Sequence, residues 1–145
     1  MTDVAAAIGL VQLQRYETML ERRAEIIQKF DAAFRPLGIQ TLDHYTANHR
    51  SSGHLYLTRI PSITYEQRHE IIVKMAEQGI ACNVHYKPLP MHTAYKNLGF
   101  DIRNYPNAYA QFANEISLPL HTCLTDAEVE YIIERFSEIV KEYLV

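Results

Sequence analysis

The stretch NVHYKPLPMHTAYKNLG, residues 83–99, gathers two histidines, two tyrosines, two lysines and two prolines. Imidazole and phenol groups hydrogen-bond hydroxyls or exchange protons, an ammonium attracts phosphate, and prolines stiffen the turns that carry such groups. His85, Tyr86, Lys87 and His92 are therefore the candidate ligand-facing residues. His85 and His92 stand seven apart with two prolines between them, unlike the helical pair of a zinc hydrolase, so the spacing argues against a metal site. There is no G-x-S-x-G turn for a hydrolytic nucleophile, and the glycines at 9, 38, 53, 79 and 99 are isolated, which leaves no phosphate-cradling loop. Strand alternation would send Cys82 and His85 to opposite faces, so no thiol–imidazole pair is expected either. The stretch reads as one wall of a site whose chemistry lies elsewhere.

The elements that must hold this wall are legible around it. IACNVHY, residues 80–86, is apolar or β-branched and bounded by Gly79 and Pro88, the pattern of a strand delivering His85 and Tyr86 at its end. HLYLTRIP, residues 54–61, alternates with a period of two and predicts a strand after the polar loop 41–53; EISLPL, residues 115–120, predicts another. Thr64 with Gln67 and Thr125 with Glu128 form capping boxes. They open two amphipathic helices, one carrying Ile71, Ile72 and Met75 and closing at Gly79, the other running from Val129 to Val140. From Asp3 to Phe34 there is no proline, and apolar residues recur every three to five positions, predicting one long helix that Pro36 and Gly38 terminate. Strands separated by helices predict an α+β fold, a small sheet of three or four strands covered by helices.

Composition bounds the function. A chain of 145 residues with 48% hydrophobic residues suits one domain with a core. Its 14 basic and 17 acidic residues, a net charge of -3, form no block suited to nucleic acid or acidic lipid. The start MTDVAAAIGL lacks a signal-peptide pattern and no run of apolar residues is long enough for a membrane span, which points to a cytoplasmic protein. Cys82 and Cys123 fit neither a disulfide framework nor a zinc pattern and are expected to be reduced, partly buried thiols.

Four segments in order, MTDVAAAIGLVQLQRYETMLERR, SSGHLYLTRI, GIACNVHYKPLPMHTAY and ISLPLHTCLTDAEVEYII, resemble the C-terminal part of the DegT/DnrJ/StrS family of pyridoxal-phosphate-dependent sugar aminotransferases. The resemblance implies the small domain of a homodimeric fold-type I enzyme, with residues 1–34 as an interdomain helix and 35–145 as the α+β layer. It implies transfer of an amino group from glutamate to a nucleotide-linked keto sugar for surface (lipopolysaccharide-type) polysaccharide. The cofactor-binding large domain of such enzymes precedes this segment and is not expected within it. The family's Schiff-base lysine follows a serine five residues earlier, a pattern that none of Lys29, Lys74, Lys87, Lys96 and Lys141 meets, so this chain alone is not expected to hold pyridoxal phosphate. The family's histidine–tyrosine pair, proline–leucine and further histidine fall on His85, Tyr86, Pro88, Leu89 and His92, with Pro90 and Met91 inserted before the last. These imply hydrogen bonds to sugar hydroxyls or diphosphate, with Lys87 as a charge partner. A non-catalytic binding or assembly module with the same fold is the alternative.

Overall fold

The computed structural model describes residues 1–144. Helix α1, Asp3–Gln14, is capped by the Thr2 hydroxyl, and α2, Tyr16–Phe34, follows after a single residue, Arg15. The expected single helix is thus interrupted, and the reason lies in the spacing. Val11 and Tyr16 are five apart, so the apolar stripe slips there. At the slip, the Arg15 amide bonds to the Gln12 and Leu13 carbonyls. Beyond the slip α2 buries Leu20, Ile26, Ile27, Phe30 and Phe34, whereas α1 buries nothing. As the sequence predicts, α2 ends against a tight turn containing Pro36 and closed by Gly38 at φ 79°.

Three short strands make one antiparallel sheet in the order β1, β2, β3. β1 is Gln40–Thr41, β2 is Tyr56–Arg59 and β3 is Glu115–Leu118; Thr58 lies opposite Ile116 and Arg59 opposite Glu115. β2 turns Tyr56 and Thr58 inward and leaves Leu57 and Arg59 half-buried. That polar pair tolerates the interior because both hydroxyls are satisfied: Tyr56 donates to Asp31 at 2.8 Å and Thr58 to the Ile116 carbonyl at 2.7 Å. β3 is buried along its whole length.

Helix α3, Tyr65–Glu77, shows the capping box between Thr64 and Gln67. The short helices α4, Thr93–Asn97, and α5, Pro106–Asn114, lead into β3. Helix α6, Asp126–Lys141, opens on the Thr125–Glu128 box and buries Val129, Ile132, Phe136, Ile139 and Val140. One continuous core joins α2, α3, α6, β2 and β3. At its centre Phe34 meets Phe136 edge-on at 5.1 Å and Phe30 meets Tyr56 at 4.9 Å. Each such ring, taken from water, contributes about 1.5–3 kcal/mol.

The strand expected over 80–86 does not form. Only Asn83 bridges to Ser117, through amide–carbonyl bonds of 3.1 and 2.8 Å. Beyond it side chains intercept the ladder: the Val84 amide donates to Asn83 Oδ1 at 2.8 Å and the His85 amide to Glu115 Oε2 at 2.9 Å. Both cysteines are free, but Cys123 is exposed rather than partly buried, while burial pushes the Cys82 thiol up to about 12 and keeps it protonated. Among the described residues no helix is long and apolar enough to cross a membrane, and no three side chains gather as metal ligands.

Candidate functional site

His85 and Tyr86 are held at the edge of the sheet by β3. Glu115 and Ser117 stand two apart in that strand and so face the same side. The Ser117 hydroxyl donates to Glu115 Oε1, and Ser117 Oγ lies 2.7 Å from His85 Nδ1. The His85 amide bonds the other oxygen of the same carboxylate. One bond to the ring and one to the backbone amide thus tie the half-buried His85 to two mutually bonded residues that are 1% and 4% exposed. His85 Nε2 has no partner among the described residues and remains open to solvent. Tyr86, 70% exposed, meets the imidazole edge-on at 4.6 Å across a cis His85–Tyr86 peptide bond.

Behind the carboxylate lies Arg68 of α3, whose guanidinium is buried between the rings of Tyr65 at 4.7 Å and Phe112 at 5.0 Å. It makes no ion pair among the described residues, and its Nε has no hydrogen-bond partner. Burial pushes the Glu115 carboxyl up, and the bonds from Ser117 and the His85 amide pull it back towards ionisation. Burial lowers Arg68, against which the charges of Tyr65 and Glu115 act. Each buried charge therefore favours the other's ionised form. Neither Glu115, Ser117 nor Arg68 stands out in the sequence by type; the one available signal is the two-residue spacing of Glu115 and Ser117 at the start of EISLPL.

The remaining candidates sit further along the same segment. Lys87 is exposed and in no ion pair among the described residues. His92 is exposed and folds back, its Nε2 lying 3.3 Å from the Lys87 carbonyl. The inserted Pro90 and Met91 belong to a tight turn, Leu89–Met91, which sets the separation of His92 from His85. Past Lys87, residues Pro88, Leu89, Tyr95, Phe100 and Tyr105 line an apolar depression of about 330 Å³. The structure thus joins His85 and Tyr86 into one cluster and leaves Lys87 and His92 along its outer rim.

The lysines do not provide a Schiff-base site. A nucleophilic lysine needs a desolvated or electropositive setting that lowers its pKa. Lys29 is instead paired with Asp126 at 3.2 Å and Glu130 at 3.3 Å, and Lys74 is bonded to Glu142; both are pushed up by these partners. Lys87, Lys96 and Lys141 are exposed. None of the five lysines thus lies in the desolvated setting that a Schiff base to pyridoxal phosphate requires.

A profile of the DegT/DnrJ/EryC1/StrS aminotransferase family matches residues 1–137. The spore coat polysaccharide biosynthesis protein SpsC of Bacillus subtilis is 31% identical, the alignment covering 97% of this chain and 37% of SpsC. A Campylobacter jejuni UDP-4-amino-4,6-dideoxy-N-acetyl-β-L-altrosamine transaminase is 29% identical over 98% of this chain and 38% of its own length. The Streptococcus pneumoniae protein Spr1654, described as a sugar aminotransferase and solved in a pyridoxal-phosphate form, superposes with a TM-score of 0.94 at 54% identity, covering all of this chain and 37% of its own. The chain spans a little over a third of the length of these relatives. With the match running through both the sheet and the His85 segment, the chain belongs to the DegT/DnrJ/EryC1/StrS aminotransferase family.

Proposed function

We propose that this chain is the small, C-terminal portion of a pyridoxal-phosphate-dependent sugar aminotransferase, one that moves an amino group from glutamate to a nucleotide-linked keto sugar for surface, lipopolysaccharide-type polysaccharide. The observation that carries this reading is the His85 cluster: an accessible imidazole anchored by buried Glu115 and Ser117, in a segment that the family profile spans. His85 and Tyr86 bond the sugar or diphosphate, Lys87 offers a point charge to phosphate, and His92 closes the rim. The depression beside Pro88 and Phe100 presents apolar faces suited to a flat ring. The cofactor and its lysine come from a large domain outside these 145 residues, in a homodimer working in the cytoplasm.

Titrating the chain with a UDP-linked 4-keto sugar tests the reading. Resonances of His85 and Tyr86 are expected to move before those of distant residues such as Tyr143; saturating ligand with no change at His85 would count against it. Because the lysines are surface groups, treatment with pyridoxal phosphate and then borohydride is expected to label several of them sparsely. Stoichiometric labelling of a single lysine, mapped by peptide analysis, would contradict the division of labour. The same surface lysines support, for the isolated chain, a role in binding rather than catalysis.

A further inference from the structure

We propose that Glu115 and Ser117 are positioning residues that fix His85 in the tautomer protonated at Nδ1, so that Nε2 meets the substrate as a hydrogen-bond acceptor for an O–H or N–H group. A hydroxyl carries one proton. In this cluster it points to Glu115 Oε1, so Ser117 Oγ is left to accept from His85 Nδ1 at 2.7 Å. The ring must then carry its proton on Nδ1, and the open Nε2 presents a lone pair.

The direction of this relay depends on an ionised Glu115. The groups that act on the carboxylate are Ser117 on its own strand, the amide and the imidazole of His85, and the charge of Arg68 from α3; Arg59, opposite on β2, turns away to Asn114 Oδ1 at 2.9 Å. Arg68 keeps its charge at any ordinary pH, is 5% exposed, and makes no ion pair among the described residues, Glu115 being the one carboxylate whose charge acts on it. A buried guanidinium without a counter-charge is costly, which holds Glu115 in the carboxylate form. The carboxylate then draws the serine proton, and the serine draws the imidazole proton.

The consequence is a narrower ligand class for His85 than phosphate. A neutral ring accepting through Nε2 suits a sugar hydroxyl or an amino group and disfavours an unprotonated phosphate oxygen, which has no proton to offer. That assignment to substrate rests on the function proposed above; the tautomer does not.

Long-range proton–nitrogen correlation spectra of the nitrogen-labelled chain test it, with His85→Gln used to assign the ring. Above the imidazole's titration range, His85 is expected to show a pyrrole-type Nδ1 and a pyridine-type Nε2. Ser117→Ala is expected to shift the ring towards the Nε2-protonated form that free imidazoles favour. A wild-type ring protonated at Nε2 would overturn the proposal whether or not the variant folds. So would a Ser117→Ala spectrum with the Nδ1-protonated form fully retained. Either reading comes from the free chain, so failure of the sugar titration is separable from failure of the relay.

Discussion

Replacing Leu10 and Leu13 together by glutamate is expected to convert the isolated chain from a dimer or larger species into a monomer. Helix α1 supplies the reason: Val4, Ile8, Leu10, Val11 and Leu13 are 54–72% exposed, and no residue of the helix is buried. A helix apolar on most sides normally has neighbours on most sides, yet among the described residues α2 is the one element on which α1 packs to any extent. Covering roughly 300 Å² on each of two copies at about 25 cal/mol per Å² is worth roughly 15 kcal/mol gross, at the top of the roughly 4–15 kcal/mol that association costs. A second copy of residues 4–20 is the nearest available partner. Two buried carboxylates per copy would cancel that gain. Light scattering at micromolar concentration reads the outcome, and a clean monomer before substitution, unchanged after it, would refute the account of α1.

The second large effect concerns His85. In a complete enzyme carrying this segment, His85→Ala is expected to lower kcat/KM for the keto sugar about 5-fold to about 150-fold, the range set by about 1–3 kcal/mol for a hydrogen bond deprived of one partner. The loss combines two things: the substrate donor goes unpaired, and Ser117 loses the ring it holds. His92→Ala is expected to cost far less, since its Nε2 already faces the Lys87 carbonyl. Equal losses for the two variants would mean that the rim histidine meets the sugar as fully as the anchored one and would contradict this ranking.

The contrast between the two histidines shows where the sequence is readable. Both capping boxes, the amphipathic helices they start and the strand in EISLPL follow from local pattern, because a cap and a periodic face depend on residues within one turn or one pleat. The 80–86 strand fails for a reason local pattern does not carry: Asn83 and Glu115 side chains, the latter thirty residues away from His85, take the amides that a ladder needs. The alternation in 54–61 likewise does not say which face of β2 is buried; Tyr56 and Thr58 turn inward because Asp31 and the Ile116 carbonyl receive their hydroxyls. As candidates, His85 and Tyr86 were identifiable from the resemblance to the family's histidine–tyrosine motif. Their support was not, since Arg68, Glu115 and Ser117 come together only when α3 and β3 pack, and each is an ordinary residue where it stands in the chain.

The most direct measurement of the central claim is an exchange of segments. Residues 1–145 would replace the matching part of the Streptococcus pneumoniae protein, whose fold they reproduce at a TM-score of 0.94 and 54% identity, and the hybrid would be loaded with pyridoxal phosphate and supplied with glutamate and a panel of nucleotide-linked keto sugars. The account predicts amino transfer to at least one sugar of the panel, lost in part when His85 is replaced. A folded, cofactor-loaded hybrid that takes the amino group from glutamate and passes it to no sugar, with nucleotide sugars failing to bind, would contradict the claim that this chain forms the substrate wall of a sugar aminotransferase.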